Sequence, residues 1–304
     1  MTTLNQIVEQ IALDDNPYDV AVAAAADFEV LEAVDMAIKR NIASFSLFDE
    51  EAKLKEMIGA RYPHLLDHPK LKIINVKGAA QAANAAVKSV FVKDSSVLMK
   101  GHISTAVLLK AVLNEEYGLR TESILSHVAA FEIEGYDRLI FITDAGMNIE
   151  PDLKQKAQII RNAVSAARAV GVEKPVVAPL AAVEVVNPAM QATLDSAALS
   201  AMNRRGQIKD CIVDGPLALD NAISPIAAAH KGISGEGAGK ADILLVPNIE
   251  AGNILYKSLI YFAKAKVGGI IAGAKAPIVL TSRADSAESK LYSLALAIKT
   301  STIQ

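Results

Sequence analysis

Cysteine is nearly absent from this sequence. Cys211 is the only one, so no internal disulfide can form and no cysteine-built metal site exists. That composition fits a reducing compartment, and a cytoplasmic location is expected. Charge of one sign is also lacking: the formal net charge is −3 at pH 7, which provides no electrostatic footprint for nucleic acid or for a membrane surface. Long apolar runs are missing too. The most apolar late stretch, VGGIIAGAKAPIVL, is broken by glycines, Lys275 and Pro277, whereas a membrane helix needs ~20 mostly apolar residues. The opening MTTLNQIVEQIALDDNPYD has neither the basic region nor the apolar core of a signal peptide. No repeat of fixed period and no low-complexity segment is present.

What is present reads as a folded α/β protein. The chain has 304 residues, 52% apolar and 21% charged, which is enough apolar material for two domains and too much for global disorder. Short β-branched runs alternate with amphipathic helices over the first hundred residues, as a parallel sheet covered on both faces requires. Strands are expected at 18–26, 42–48, 71–76 and 95–100, helices at 4–12, 27–40, 49–62 and 78–92, and one long helix over 101–118. The texture changes at ILSHVAAFEIEGYDRLIFITDAGMN, where strands separated only by EGYDR predict a hairpin. A helix follows with Pro151 in its first turn and Gly171 at its end. Strands at 174–182 and 241–248, and a strand running into a loop over 209–220, then alternate with helices at 188–206 and 250–265. The strand PIVLTS and a helix opened by Arg283 close the chain. The expected domains are 1–130 with 278–304, and an inserted 131–277.

Several strand-to-helix corners carry polar residues. MKGHIST sets His102, Ser104 and Thr105 at a helix start, which suits an oxyanion because helix N-termini present free N–H groups; equally, Ser104 or Thr105 simply caps the helix with His102 idle beside it. TDAGMNIEPD puts Asp144 and Asn148 after a buried strand, where α/β ligands sit, or where Asp144 caps a turn. PNIEAGN offers Glu250 and Asn253 beside Gly252, and DGPLALD is a corner of the same kind. GEGAGK is a surface loop rather than a Walker loop: Ser234 holds the first glycine position, Ala241 follows the lysine, and a strand comes next. In LTSRADS, Ser282 and Arg283 leave a buried strand where a helix begins, with Ser282, Asp285 or Ser286 as possible caps. A guanidinium fork and helix N–H groups there make either an anion site or an ordinary capped helix.

Taken in order along the chain, MKGHIST, TDAGMNIEPD, DGPLALD, GKADILLVPNIEAGNILYKSL and LTSRADS resemble the phosphate acetyl/butyryltransferase family, over roughly residues 90–290. GHIST and TSRADS look like its butyryltransferase branch. The resemblance implies a two-domain, three-layer αβα fold similar to isocitrate and isopropylmalate dehydrogenases, with the active cleft between domains. It implies reversible transfer of a short acyl group, butyryl or branched, between coenzyme A and inorganic phosphate by direct attack in a ternary complex. No metal, no permanently bound cofactor and no covalent acyl-enzyme is implied. The implied partners are small-molecule substrates, a second copy of the chain in a homodimer or larger homo-oligomer, and, metabolically, an acyl-phosphate (butyrate) kinase.

Ser282 and Arg283 fall on the family's active-site Ser-Arg pair. Acetyl-specific members place a carboxylate base seven residues beyond that serine. Here that position is Ser289, leaving Glu288, Asp285, a group from another corner, or unassisted departure of the thiolate. His102, Ser104, Thr105, Asp144, Asn148, Glu250 and Asn253 are the expected binding residues. Three alternatives stand beside this expectation: acetyl transfer from acetyl-CoA, a metal- and NAD-dependent dehydrogenase of the same fold, and a non-catalytic CoA-binding module.

Overall fold

The computed structural model describes residues 2–280 and 285–303. The chain forms two compact units, one built from Leu4–Ser123 together with the chain from Gly268 onward, the other from Ile124–Val267.

In the outer unit, α1 (Leu4–Ala12), β1 (Asp19–Ala23), α2 (Phe28–Lys39), β2 (Ser44–Asp49), α3 (Glu51–Arg61), β3 (Leu71–Asn75), α4 (Ala79–Phe91), β4 (Val97–Lys100) and α5 (Thr105–Val112) follow one another. The inserted unit contributes β5 (Ser126–Glu132), β6 (Ile140–Thr143), α6 (Leu153–Ala169), β7 (Val176–Pro179), α7 (Gln191–Arg204), β8 (Ile212–Val213), α8 (Leu219–Ile223), α9 (Pro225–His230), β9 (Ile243–Leu245) and α10 (Ile249–Tyr261). The strand β10 (Lys266–Ala272) leads back to the outer unit, where β11 (Ile278–Val279) and α11 (Ala287–Ser301) end the chain.

The outer unit's strands lie in the order β3-β2-β1-β4-β11-β10. All pairs up to β4–β11 are parallel, with Val22 opposite Leu47 and Met99, and Met99 opposite Val279; β10 runs antiparallel to β11. The carboxyl ends of β1, β2, β4 and β11 therefore leave one edge together. Val20, Val22, Phe45, Leu47, Leu98 and Met99 are fully buried between helix layers, which is why these strands read as continuous apolar runs rather than alternating ones. The inserted unit repeats the plan with the order β5-β6-β9-β7-β8. The expected hairpin is its antiparallel pair β5–β6, with Ala130 opposite Phe141.

Several expectations need correction. The long helix over 101–118 is eight residues: Asn114 Oδ1 accepts the amides of Glu116 and Tyr117 and turns the chain at its end. Pro151 precedes α6 instead of opening it, because Asp152 and Gln155 form a reciprocal capping box. The last helix opens on Ser286, not on Arg283. Helices α8 and α9 and strand β10 were not expected, their short runs of small residues and glycines having weak periodicity. A cut at 130/131 falls within β5, and the compact units divide instead at 123/124 and 267/268. Among the described residues, no helix is long and apolar enough to cross a membrane.

One buried ion pair ties α6 to α7. Lys156 Nζ lies 2.6 Å from Asp195 Oδ2, with both side chains 10% exposed or less, and Gln191 Nε2 donates to the other carboxylate oxygen at 2.8 Å. Removing one partner of such a pair leaves an uncompensated buried charge. Asp195→Ala is therefore expected to lose about 3–5 kcal/mol in urea unfolding, with most of it recovered in the Lys156→Met/Asp195→Leu double variant. A loss below about 1 kcal/mol in the single variant, on the scale of an exposed pair, would contradict this account.

Candidate active site

The outer unit builds a polar corner where β1 and β4 end. Beyond β1, Ala24 adopts φ 58° and the chain turns to Asp27, whose Oδ1 accepts the amides of Glu29 (2.9 Å) and Val30 (3.2 Å) and so caps α2. Asp49, at the end of β2, fixes the same turn by accepting the Ala26 amide at 2.8 Å. Beyond β4, the amides of Gly101 and His102 donate to the carbonyls of Ala23 (2.8 Å) and Ala24 (2.7 Å). A Cβ on Gly101 would stand 2.1 Å from the Ala24 carbonyl oxygen, so only glycine permits this approach. Lys100 Nζ donates to the carbonyls of Gly101 (3.1 Å) and Ile103 (3.2 Å) and braces the turn.

This approach brings His102 Nδ1 to 3.1 Å from Asp27 Oδ2, with 53% of the imidazole still exposed. Ser104 caps α5, accepting the Val107 amide at 3.3 Å, and Thr105 is the exposed first residue of that helix. Of the two readings of MKGHIST, the helix cap is present, but the histidine is not idle.

Ser282 and Arg283 lie outside the described residues. Around them, β11 ends at Val279 beside Met99 of β4, and Ser286 caps α11 by accepting the Ser289 amide at 3.1 Å. Ser289, at the position where acetyl-specific relatives are expected to carry a carboxylate, receives the Ser286 hydroxyl at 3.1 Å. Glu288 is exposed and accepts the Tyr292 hydroxyl at 2.7 Å; Asp285 is part-exposed. Lys290 is buried in the first turn of α11 and pairs with Glu29 in the first turn of α2 at 3.0 Å. Three helix starts, α2, α5 and α11, are thus tied to one edge of one sheet. Their free N–H groups and dipoles make that edge attractive to anions.

In the inserted unit, Asp144 is 2% exposed, and its carboxylate is occupied by its own loop. It accepts the amides of Gly146 (2.9 Å), Met147 (2.9 Å) and Asn148 (3.2 Å) and the Asn148 Nδ2 at 2.6 Å. Asn148 also donates to the Leu125 carbonyl at 2.9 Å. Asn248 caps α10 at its contact with this loop, where a Cβ on Gly252 would meet the Asp144 carbonyl at 2.8 Å. Glu250 and Asn253 stand exposed on the first turns of α10.

The loop containing GEGAGK is followed by β9 rather than by a helix. Its Gly237 amide donates to Asp214 Oδ2 at 2.8 Å, and a Cβ on Gly235 would lie 2.3 Å from that oxygen. A carboxylate already occupies the place a phosphate would take in a P-loop. Among the described residues, no group of three or more His, Cys, Asp or Glu could hold a metal ion. Cys211 is buried, and desolvation pushes its thiol up to about 11. Its thiolate at neutral pH is then on the order of one molecule in ten thousand.

His102, Ser104, Thr105, Asp285 and Glu288 therefore belong to the outer unit, and Asp144, Asn148, Glu250 and Asn253 to the inserted one. Asp27, Asp49, Glu29 and Lys290 were not among the expected residues. Asp27 was detectable only as an acid before an amphipathic run, a helix-cap signature; its partner is 75 positions away. Gly101→Ala is expected to displace this corner, lowering stability by about 1–3 kcal/mol and cutting kcat more than tenfold. A stable variant with wild-type kcat would show that the close approach of the two chain exits is dispensable.

A family model described as phosphate acetyl/butaryl transferase matches residues 79–298. A probable phosphate butyryltransferase of Bacillus subtilis (strain 168) is 58% identical over 279 residues, covering 92% of each chain. The phosphate butyryltransferase of Clostridium beijerinckii is 51% identical, covering 91% of each. The crystal structure of a branched-chain phosphotransacylase from Enterococcus faecalis V583 superposes with a TM-score of 0.82 at 38% identity, over 93% of this chain and 99% of the other.

Proposed function

Because the chain belongs to the phosphate acetyl/butyryl transferase family, we propose that it transfers a short acyl group, butyryl or branched-chain, reversibly from acyl-CoA to inorganic phosphate. The observation that carries this reading is near-complete alignment at 58% and 51% identity with proteins named for butyryl transfer, joined by the branched-chain structure. A cytoplasmic location, an acyl-phosphate kinase as metabolic neighbour and substrates in place of any resident cofactor accompany it. Self-association belongs to the same reading. It is supported by α10, which buries only Gly252 while Ile254 and Tyr261, and Phe262 just beyond it, stay exposed.

The chemistry asks for few groups. A phosphate oxygen attacks the thioester carbonyl, negative charge gathers on the carbonyl oxygen, and the tetrahedral intermediate expels CoA thiolate. Arg283 holds the phosphate in line, since a planar guanidinium grips two oxygens at once. Ser282, or an N–H at a helix start, stabilises the oxyanion by roughly 3 kcal/mol. Glu250, Asn253, Ser104 and Thr105 bind the remaining parts of the substrates, and Asp144 with Asn148 shapes the loop beside α10. The one thiol, Cys211, is buried and its pKa is pushed up to about 11 by desolvation, which makes it a poor acyl acceptor.

Phosphate-dependent release of CoA thiol from butyryl-CoA, compared across acetyl-, butyryl- and isovaleryl-CoA, tests the assignment. The highest kcat/KM is expected for butyryl or isovaleryl; a best substrate of acetyl-CoA moves the chain to the acetyl reading, and no phosphate-dependent release removes the function altogether. Arg283→Ala is expected to lower kcat/KM about 100-fold or more. A change below threefold would put the phosphate elsewhere.

A further inference from the structure

We propose that His102 is the acid–base catalyst of this reaction and Asp27 the residue that positions it. The inference rests on the acyltransferase reading and adds a proton path that Ser289 cannot supply.

Two other acids at this edge already hold partners. Glu288 accepts the Tyr292 hydroxyl on Oε1. Asp49 holds the Ala26 and Glu50 amides, one on each oxygen, both at 2.8 Å. Ser289 has only a hydroxyl, and the cap Ser286 donates to it. His102 is different. Asp27 spends Oδ1 on two helix amides and turns Oδ2 to the imidazole. An ionised carboxylate only accepts hydrogen bonds, so Nδ1 carries the hydrogen, and in the neutral ring the lone pair is on Nε2. Among the described residues, Nε2 has no hydrogen-bond partner, and half of the ring faces outward. Asp27 is the charged group in contact with the ring; of the others at this edge, Lys100 from β4 donates to the carbonyls of Gly101 and Ile103 on either side of His102, Asp49 from β2 holds the Ala26 amide, and Glu29 of α2 pairs with Lys290 of α11. His102 follows β4 by two residues, and β4 pairs with β11, which Ser282 and Arg283 follow by three and four residues.

The proton balance closes through one nitrogen. In the direction of acyl-CoA formation, Nε2 takes the proton of the CoA thiol as sulfur attacks the acyl-phosphate carbonyl. The C–S bond forms, the C–O bond to phosphate breaks, and the imidazolium gives the same proton to the departing phosphate, which leaves as hydrogen phosphate. In the other direction, Nε2 removes the proton of hydrogen phosphate as its oxygen bonds to carbon, and returns it to the thiolate released when the C–S bond breaks. Neither direction needs a co-reactant.

The test compares wild type, His102→Gln and Asp27→Asn in the butyryl phosphate plus CoA direction across pH, with melting curves for each. Asparagine caps helices as well as aspartate, so Asp27→Asn keeps α2 while removing the charge that fixes the ring tautomer. His102→Gln is expected to lose about 100-fold or more in kcat, with both KM values within threefold of wild type. The acid-side rise of the pH–rate profile, where the ring must be neutral to accept the thiol proton, is expected to disappear. Asp27→Asn is expected to lose about tenfold or more in kcat with an unchanged melting midpoint. Three results would each overturn the proposal: kcat within threefold in either variant, a loss confined to KM, or an unchanged acid limb in His102→Gln. A wild type that forms no butyryl-CoA removes the acyltransferase reading itself; an active wild type matched by His102→Gln removes only the proton pair.

Discussion

The contact on which the outer corner depends is backbone against backbone: the chain leaving β4 presses on the chain leaving β1 at Gly101 and Ala24. Two amide-to-carbonyl bonds of 2.7–2.8 Å hold it, and the absence of a side chain at Gly101 is its steric condition. Everything polar at that edge follows. The turn after β1 delivers Asp27 to the start of α2, the turn after β4 delivers His102 beside it, and the next residues open α5 under Ser104. The pairing of β4 with β11 brings the last strand's carboxyl end to the same edge, and the Glu29–Lys290 pair fastens α11 to α2. A parallel sheet makes this possible because every crossover returns the chain to the same side, so loops far apart in sequence collect at one edge.

The acids of the protein divide by what their oxygens hold. Asp144 is consumed by the amides of its own loop, Asp49 holds one amide on each oxygen, and Asp214 accepts the Gly237 amide of the glycine-rich loop. Such carboxylates are structural pins: buried or half-buried charge is tolerated because several N–H donors satisfy it. Asp27 does both jobs, capping a helix with one oxygen and addressing an imidazole with the other. In the proposed proton path, that division is what assigns to His102 and Asp27 the role that Ser289 cannot fill. It also accounts for the glycine-rich loop, which resembles a phosphate cradle in composition but closes on a carboxylate.

Much of the fold was legible from residue pattern alone. The alternation of buried β-branched strands with amphipathic helices, the β5–β6 hairpin and the helix at α6 all follow from periodicity and turn residues. The failures have local causes: Asn114 turns the chain where apolar spacing continues toward Gly118, and β10 hides among glycines. In the site, the corners were visible as strand-to-helix junctions, but their internal wiring was not. Nothing in MKGHIST indicates a partner 75 residues upstream, and nothing in TDAGMN shows that Asp144 is saturated by its own loop. Long-range pairing is set by the sheet order, which composition and spacing do not encode.

The central claim is that acyl transfer is direct, with no acyl group resting on the protein. Isotope exchange tests it most plainly: labelled CoA is incubated with unlabelled butyryl-CoA and the protein, with and without phosphate. The account predicts that label enters butyryl-CoA only when phosphate is present, because only butyryl phosphate can return the acyl group to free CoA. Exchange at a comparable rate without phosphate would reveal a covalent acyl-protein and contradict the account.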